Sequence, residues 1–123
     1  MNGSCLCGAV RYEVDPPLRD VILCHCQMCR KAHGHVGAYT AAPKAALRII
    51  ESRGLAWCVS SSVARRGFCR ECGGTLFWEA NDRNTISIAA GTLDGPTGLS
   101  TTLQIHVDDA GDYYDIDPAI PRR

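Results

Sequence analysis

Seven of the eight cysteines fall into three short clusters: Cys5 and Cys7, then Cys24, Cys26 and Cys29, then Cys69 and Cys72. Two pairs and a triplet divide into one four-thiolate set and one three-thiolate set. Zinc takes four protein ligands where its role is structural, and three where a position must stay open for water or substrate. The count therefore points to a closed metal site at Cys5, Cys7, Cys69 and Cys72 and an open one at Cys24, Cys26 and Cys29.

The closed set forms only if the fold brings the N-terminal segment beside the later pair. Such a site staples distant parts of the chain, and structural zinc supplies on the order of 10–16 kcal/mol of apparent folding free energy in zinc-finger peptides. Arg11, Arg66 and Arg70 stand near enough in sequence to offset its negative charge. At the open set, a three-coordinate zinc would lower the pKa of a bound thiol or polarise a carbonyl oxygen. A fourth ligand would close it. The candidates are the remaining cysteine, Cys58, and the histidines His25, His33, His35 and His106.

His25, flanked by two ligands, is the first candidate for moving a proton or orienting substrate, and His106 the second. Arg30 and Lys31 follow the triplet directly and are candidates for holding substrate carboxylates. Each residue also has a plainer role: a lone His on a strand is ordinarily a hydrogen-bonded surface or core group, and basic residues beside thiolates balance charge. Cys58 lies in the apolar run Leu55 to Val59, where a lone cysteine is ordinarily a small buried hydrophobe.

The elements that must position these groups read as strands. Val10 to Val14 alternates with a period of two, and Gly8 turns the chain between the first cysteine pair and that strand. Val21 to Leu23 delivers the chain to Cys24, and one helical turn is expected over Gln27 to Ala32. Further strands are expected at Val36 to Ala41, Leu47 to Glu51, Trp57 to Ser61, Thr75 to Glu79, Thr85 to Ala90 and Thr102 to Val107, with a helical turn at Pro43 to Ala46. Gly67 to Gly74 has the form of a zinc knuckle, its glycines allowing positive φ. After Asp117 the polar tail, with Pro118 and Pro121, reads as an ordered turn fading into a loose end.

With 123 residues the chain is expected to form a single domain over residues 1–123, around one core. Thirteen basic residues balance thirteen acidic ones, so no positive field draws in nucleic acid. No stretch is apolar and long enough to span a bilayer, and the first residues lack the pattern of a signal peptide. The expected location is cytoplasmic. A reducing cytosol favours metal ligation over disulfides for closely spaced cysteines. A disulfide framework is the alternative that the even cysteine count leaves open.

On the segments Gly3 to Tyr12, Cys24 to Lys31, Phe68 to Gly73 and Ala90 to Asp94, and more loosely Ile105 to Val107 and Asp112 to Ile116, the chain resembles the glutathione-dependent formaldehyde-activating enzyme family. The resemblance implies a mainly β fold of small antiparallel sheets around a structural zinc, a β-tent with one or two short helical turns. It implies structural zinc at Cys5, Cys7, Cys69 and Cys72, and a second, catalytic zinc at Cys24, Cys26 and Cys29. The implied partners are glutathione, or another small thiol, and a small aldehyde such as formaldehyde. The implied reaction is a carbon–sulfur lyase reaction run in reverse, giving S-(hydroxymethyl)glutathione. Cys58 is additional to the family pattern, and Tyr113 or Tyr114 stands where tryptophan is common. A non-catalytic, zinc-stabilised binding module is the rival expectation.

Overall fold

In the computed structural model, which describes residues 1–123, the chain builds two sheets. The smaller one is antiparallel, ordered β1 (Asn2–Ser4), β2 (Arg11–Val14), β5 (Leu47–Glu51). The larger runs in the spatial order β10 (Thr101–Ile105), β3 (Val21–Cys24), β4 (Gly37–Pro43), β9 (Thr85–Ala89), β8 (Thr75–Ala80), β7 (Ala64–Cys69), β6 (Leu55–Val59). One α-helix, α1 (Gln27–His33), follows β3. The mainly β class expected from the sequence is the fold observed.

Register explains which side chains meet. The partner sets Thr40, Ile88, Phe77, Gly67 and Trp57, and beside them Ala42 and Ile86, lie on one face of the larger sheet. Successive strand residues alternate faces, so their neighbours Tyr39, Ser87, Trp78 and Arg66 point the opposite way. The first face is covered by the small sheet. Tyr12, Val14 and Val10 are buried there with Phe77, Ile86 and Ile88 in one cluster, and the Tyr12 and Phe77 rings meet edge-on with centroids 5.4 Å apart. The second face is left free to carry a cavity.

Several details depart from the expected layout. Strand β10 pairs with β3 in parallel, the one parallel pairing in otherwise antiparallel sheets. Residues 90–100 carry the chain from β9 to the far edge, so β10 enters in the direction of β3. Strands β1 and β7 have no alternating signature: β1 is three small or polar residues, and β7 sets two adjacent arginines before a glycine. The tail is ordered rather than loose. The Gln104 N–H donates to the Pro121 carbonyl at 2.8 Å, the Arg123 N–H donates to that of Gln104 at 3.0 Å, and the Gln104 side-chain amide donates to the carbonyls of Asp117 and Ile120.

Candidate functional site

Two turns from distant parts of the chain converge on the first thiol cluster. At the later turn, the Gly73 N–H donates to the Cys69 carbonyl at 2.7 Å and the Cys72 N–H donates to Cys69 Sγ at 3.4 Å. Gly73 has φ +80°, a left-handed value that glycine adopts without a Cβ clash. At the earlier turn, the Val10 N–H donates to Cys5 Sγ at 3.3 Å. The loop between β5 and β6 closes over both, and any side chain at Gly54 would put its Cβ 2.7 Å from Cys69 Sγ. Cys5 and Cys69 are buried, Cys7 is exposed, and all four sulfurs lie within 4.8 Å of one another.

The spacing and donor set fit zinc. The Cys5–Cys7 and Cys7–Cys69 sulfur pairs are each 3.7 Å apart. A regular tetrahedron with Zn–S bonds of about 2.3 Å has edges of about 3.8 Å. No two of the eight cysteines are bonded to each other, and the spacing of these four is one that a metal ion could occupy. Backbone N–H groups, that of Gly74 foremost, bring the Cys72 thiol down to about 6.

The second cluster is assembled locally. Cys24 ends β3, and Cys26 caps α1, its Sγ accepting the Cys29 N–H at 3.3 Å. The helix closes on Gly34, whose N–H donates to the Arg30 carbonyl at 2.8 Å. The three sulfurs lie within 4.8 Å of one another. Hydrogen bonding from the Cys24 thiol, and then from the Arg66 guanidinium, brings the Cys29 thiol down to about 5 against the opposing effect of burial. The Cys24 thiol is driven up by its bond to Cys29 and by burial, so Cys29 is the first of the pair to ionise.

Arg66 reaches this cluster, not the closed one. It is buried, donating through Nη2 to Cys29 Sγ at 3.7 Å and through Nη1 to the Tyr39 hydroxyl at 3.3 Å. Burial raises the Tyr39 phenol and lowers His33, and the Tyr39 hydroxyl and His33 Nε2 share a hydrogen bond of 2.7 Å. The charge compensation expected of Arg66 at the closed site is thereby corrected. Arg70 donates to the Arg53 carbonyl, and Arg11 is exposed.

The free face of the larger sheet forms a cavity of about 370 Å³ with the three sulfurs at its wall. Ile22, Ile105, Tyr39 and Trp78 give it apolar surface, and His106 lines it from the end of β10. His106 has φ +55°, the only non-glycine residue in the left-handed region. Such a conformation costs of order 1–3 kcal/mol for most residues, less for His, and clusters at functional sites.

Other candidates sit elsewhere. His25 is 2 % exposed, its Nε2 at 2.9 Å from Gln104 Oε1 and its Nδ1 at 2.5 Å from the Tyr114 hydroxyl. Because the Gln104 amide nitrogen already donates to two carbonyls, its oxygen must accept from His25 Nε2–H. Nδ1 then accepts from Tyr114. Both ring nitrogens are engaged, and His25 does not line the cavity. Arg30 and Lys31 do not line it either; Lys31 is exposed, and Arg30 has a buried Nε without a partner. His35 bonds the Tyr113 hydroxyl at 2.8 Å. Cys58 is exposed on β6, the outer strand of the sheet. None of the fourth-ligand candidates joins the three-sulfur group.

The residues not foreseen at this cavity are Tyr39, Trp78, Arg19, Arg83 and Arg123, together with Arg66, which was expected at the other cluster. No local motif marks them. Register alone could have found Arg66 and Trp78, which are direct partners on β7 and β8.

Comparison with known proteins follows the same lines. The family model described as glutathione-dependent formaldehyde-activating enzyme matches residues 1–109. A protein of Schizosaccharomyces pombe described as an uncharacterized lyase is 30% identical over 116 residues, covering 93% of this chain and 83% of its own length. A crystal structure of a Rhodobacter sphaeroides protein superposes with a TM-score of 0.66 at 27% identity, over 79% of this chain and 91% of that one. No helix here is long and apolar enough to cross a membrane.

Proposed function

We propose, from the premise that the chain belongs to the glutathione-dependent formaldehyde-activating enzyme family, that it catalyses reversible addition of a thiol, in the first instance glutathione, to a small aldehyde such as formaldehyde. The observation that carries this reading is a three-thiolate cluster without a fourth protein ligand, opening on a cavity that also presents His106. Cys5, Cys7, Cys69 and Cys72 would hold a structural zinc. Cys24, Cys26 and Cys29 would hold a second one, supplying Lewis acidity to ionise a thiol or polarise a carbonyl oxygen at neutral pH.

The chain's own residues account for the rest. Ile22, Ile105 and Trp78 shield the reacting atoms from water, which strengthens every polar interaction among them. Arg66 holds Cys29 in its thiolate form and fixes its direction. The substrate S–H proton leaves, the sulfur bonds the aldehyde carbon, and the carbonyl oxygen takes a proton to become a hydroxyl. No electrons are gained or lost. In this reading His106, which lines the cavity, carries that proton, a role general acids and bases fill for about 10²–10⁴ in rate. His25 acts as a positioning residue: anchored to Gln104 and Tyr114, it sets the backbone between Cys24 and Cys26.

The test is the rate of S-(hydroxymethyl)glutathione formation, followed by exchange spectroscopy with ¹³C-formaldehyde at equilibrium. The zinc-loaded protein is expected to accelerate exchange, and His106→Gln to lower kcat about 10²–10⁴-fold with both zinc ions retained. Exchange no faster than without protein, for glutathione and for simpler thiols alike, would leave the binding-module reading in its place.

A further inference from the structure

The cavity is lined by four arginines, Arg19, Arg66, Arg83 and Arg123, and by no aspartate or glutamate. None of the four lies within ion-pair distance of any carboxylate; the ion pairs of the molecule belong to Lys44, Arg48, Arg53 and Arg65. Three thiolates about a divalent ion would leave one negative charge, which Arg66 balances through its bond to Cys29. The remaining three guanidinium groups are exposed and form no ion pair.

Two of them are held close together. Arg19 Nη2 donates to the Tyr39 carbonyl at 3.2 Å, which fixes its head against β4. Arg123 is delivered by the tail, which lies beyond the matched family segment and is pinned to β10 through Gln104. Burial first, and the charge of Arg123 second, hold the Arg19 guanidinium below its ordinary pKa. Like charges brought together at the exposed rim of a cavity repel one another until an anion joins them, and guanidinium groups match carboxylates in a two-pronged geometry.

We propose that Arg19, Arg83 and Arg123 form a carboxylate-binding wall, which takes the acidic end of the substrate whose reacting atom lies at Cys24, Cys26 and Cys29. The inference rests on the thiol–aldehyde reading for the reacting end only. The carboxylates belong to the thiol, as in glutathione, or to the aldehyde, as in an aldehyde acid such as glyoxylate. The tail is thus part of the specificity apparatus, because without it the wall loses Arg123.

Binding tests this without turnover. With the zinc-loaded protein, calorimetry would compare S-methylglutathione with its dicarboxyl ester, and glyoxylate with formaldehyde. A charge-assisted hydrogen bond contributes enough to shift affinity roughly tenfold to a hundredfold. Wild type is expected to prefer the acid over the neutral partner by about that factor in one pair, and Arg19→Gln/Arg123→Gln to lose the preference. A preference in the first pair puts the carboxylates on the thiol, and in the second on the aldehyde. Equal binding of acid and neutral form in both pairs, or binding of none, overturns the proposal. The ester comparison uses the unmodified protein, so it stands even if the double variant fails to fold. Acid-selective binding without catalysis would sink the lyase reading and leave the wall; turnover equally fast for glutathione and its ester, and for glyoxylate and formaldehyde, would do the reverse.

Discussion

The two thiol clusters share a local device and differ in reach. In each, a cysteine sulfur accepts the backbone N–H three residues on, Cys69 from Cys72 at 3.4 Å and Cys26 from Cys29 at 3.3 Å. The first cluster then adds Cys5 and Cys7, so its Cys7–Cys69 contact spans 62 positions. The second stays within residues 24–29. A metal that bridges distant segments removes the entropy of a long loop from the unfolded chain; one held by a single turn removes almost none. Ligand separation along the chain, more than ligand chemistry, is the ground for proposing a structural role for one cluster and a reacting role for the other.

Breaking the long-range cluster is expected to have the largest effect. Cys69 is fully buried, and Cys69→Ser removes one ligand from a metal whose binding contributes on the order of 10 kcal/mol in comparable sites. Whole domains of this size are stable by only about 5–15 kcal/mol. The variant is expected to be unfolded or to melt far below wild type, seen by circular dichroism, with its first zinc equivalent lost. A variant that folded normally without that metal would erase the difference between the clusters.

Cys26→Ser comes next, acting on chemistry and barely on the fold. Serine is itself a good helix cap, so α1 keeps its N-terminal acceptor. A cost of about 1 kcal/mol would lower Tm by roughly 3–6 °C in a domain of this size. Elemental analysis should find one zinc per chain in place of two, with thiol–aldehyde exchange reduced to background. Collapse of both sites would show the clusters to be coupled.

Arg66→Met sharpens the contrast further, since it leaves every ligand in place. The methionine keeps the buried stem but removes the bonds to Cys29 and Tyr39. Loss of such a supporting contact weakens metal binding about 10–100-fold at other sites. Chelator competition should show that loss at the second metal alone. Weakening of the first metal instead would return Arg66 to the closed site.

Legibility from sequence followed the same division between local and distant. The three cysteine clusters and most strands could be read because spacing and alternation are written in a few consecutive residues; β5 has the expected bounds, Leu47–Glu51. Arg66 could not be read, because its meaning depends on pairing opposite Trp78 on another strand, which turns it to the cavity face. Nor could the tail. Its order comes from Gln104, a polar residue 1 % exposed that binds His25, Asp117 and Ile120 together and so joins β10, the second cluster and the C-terminal segment. His25 looked like a reacting group because its neighbours are ligands. Adjacent residues on an extended backbone point apart, so the same adjacency turned its ring inward, away from the cavity.

Cys58 gives the smallest effect and the most pointed check. It is the partner of Arg66 across β6 and β7, so the two project on the same face of the sheet. Sharing that face makes it the one cysteine outside the clusters that register could have led to the second metal. Yet β6 is the outermost strand, the Cys58 side chain is exposed, and Arg66 stands between it and Cys29. A surface substitution of this kind changes stability by no more than about 0.5 kcal/mol. Cys58→Ser is therefore expected to retain both zinc equivalents, full exchange activity and a Tm within about 3 °C of wild type. Weakened binding of the second metal in that variant would make Cys58 its fourth ligand, and the cluster read here as open would be closed like the other.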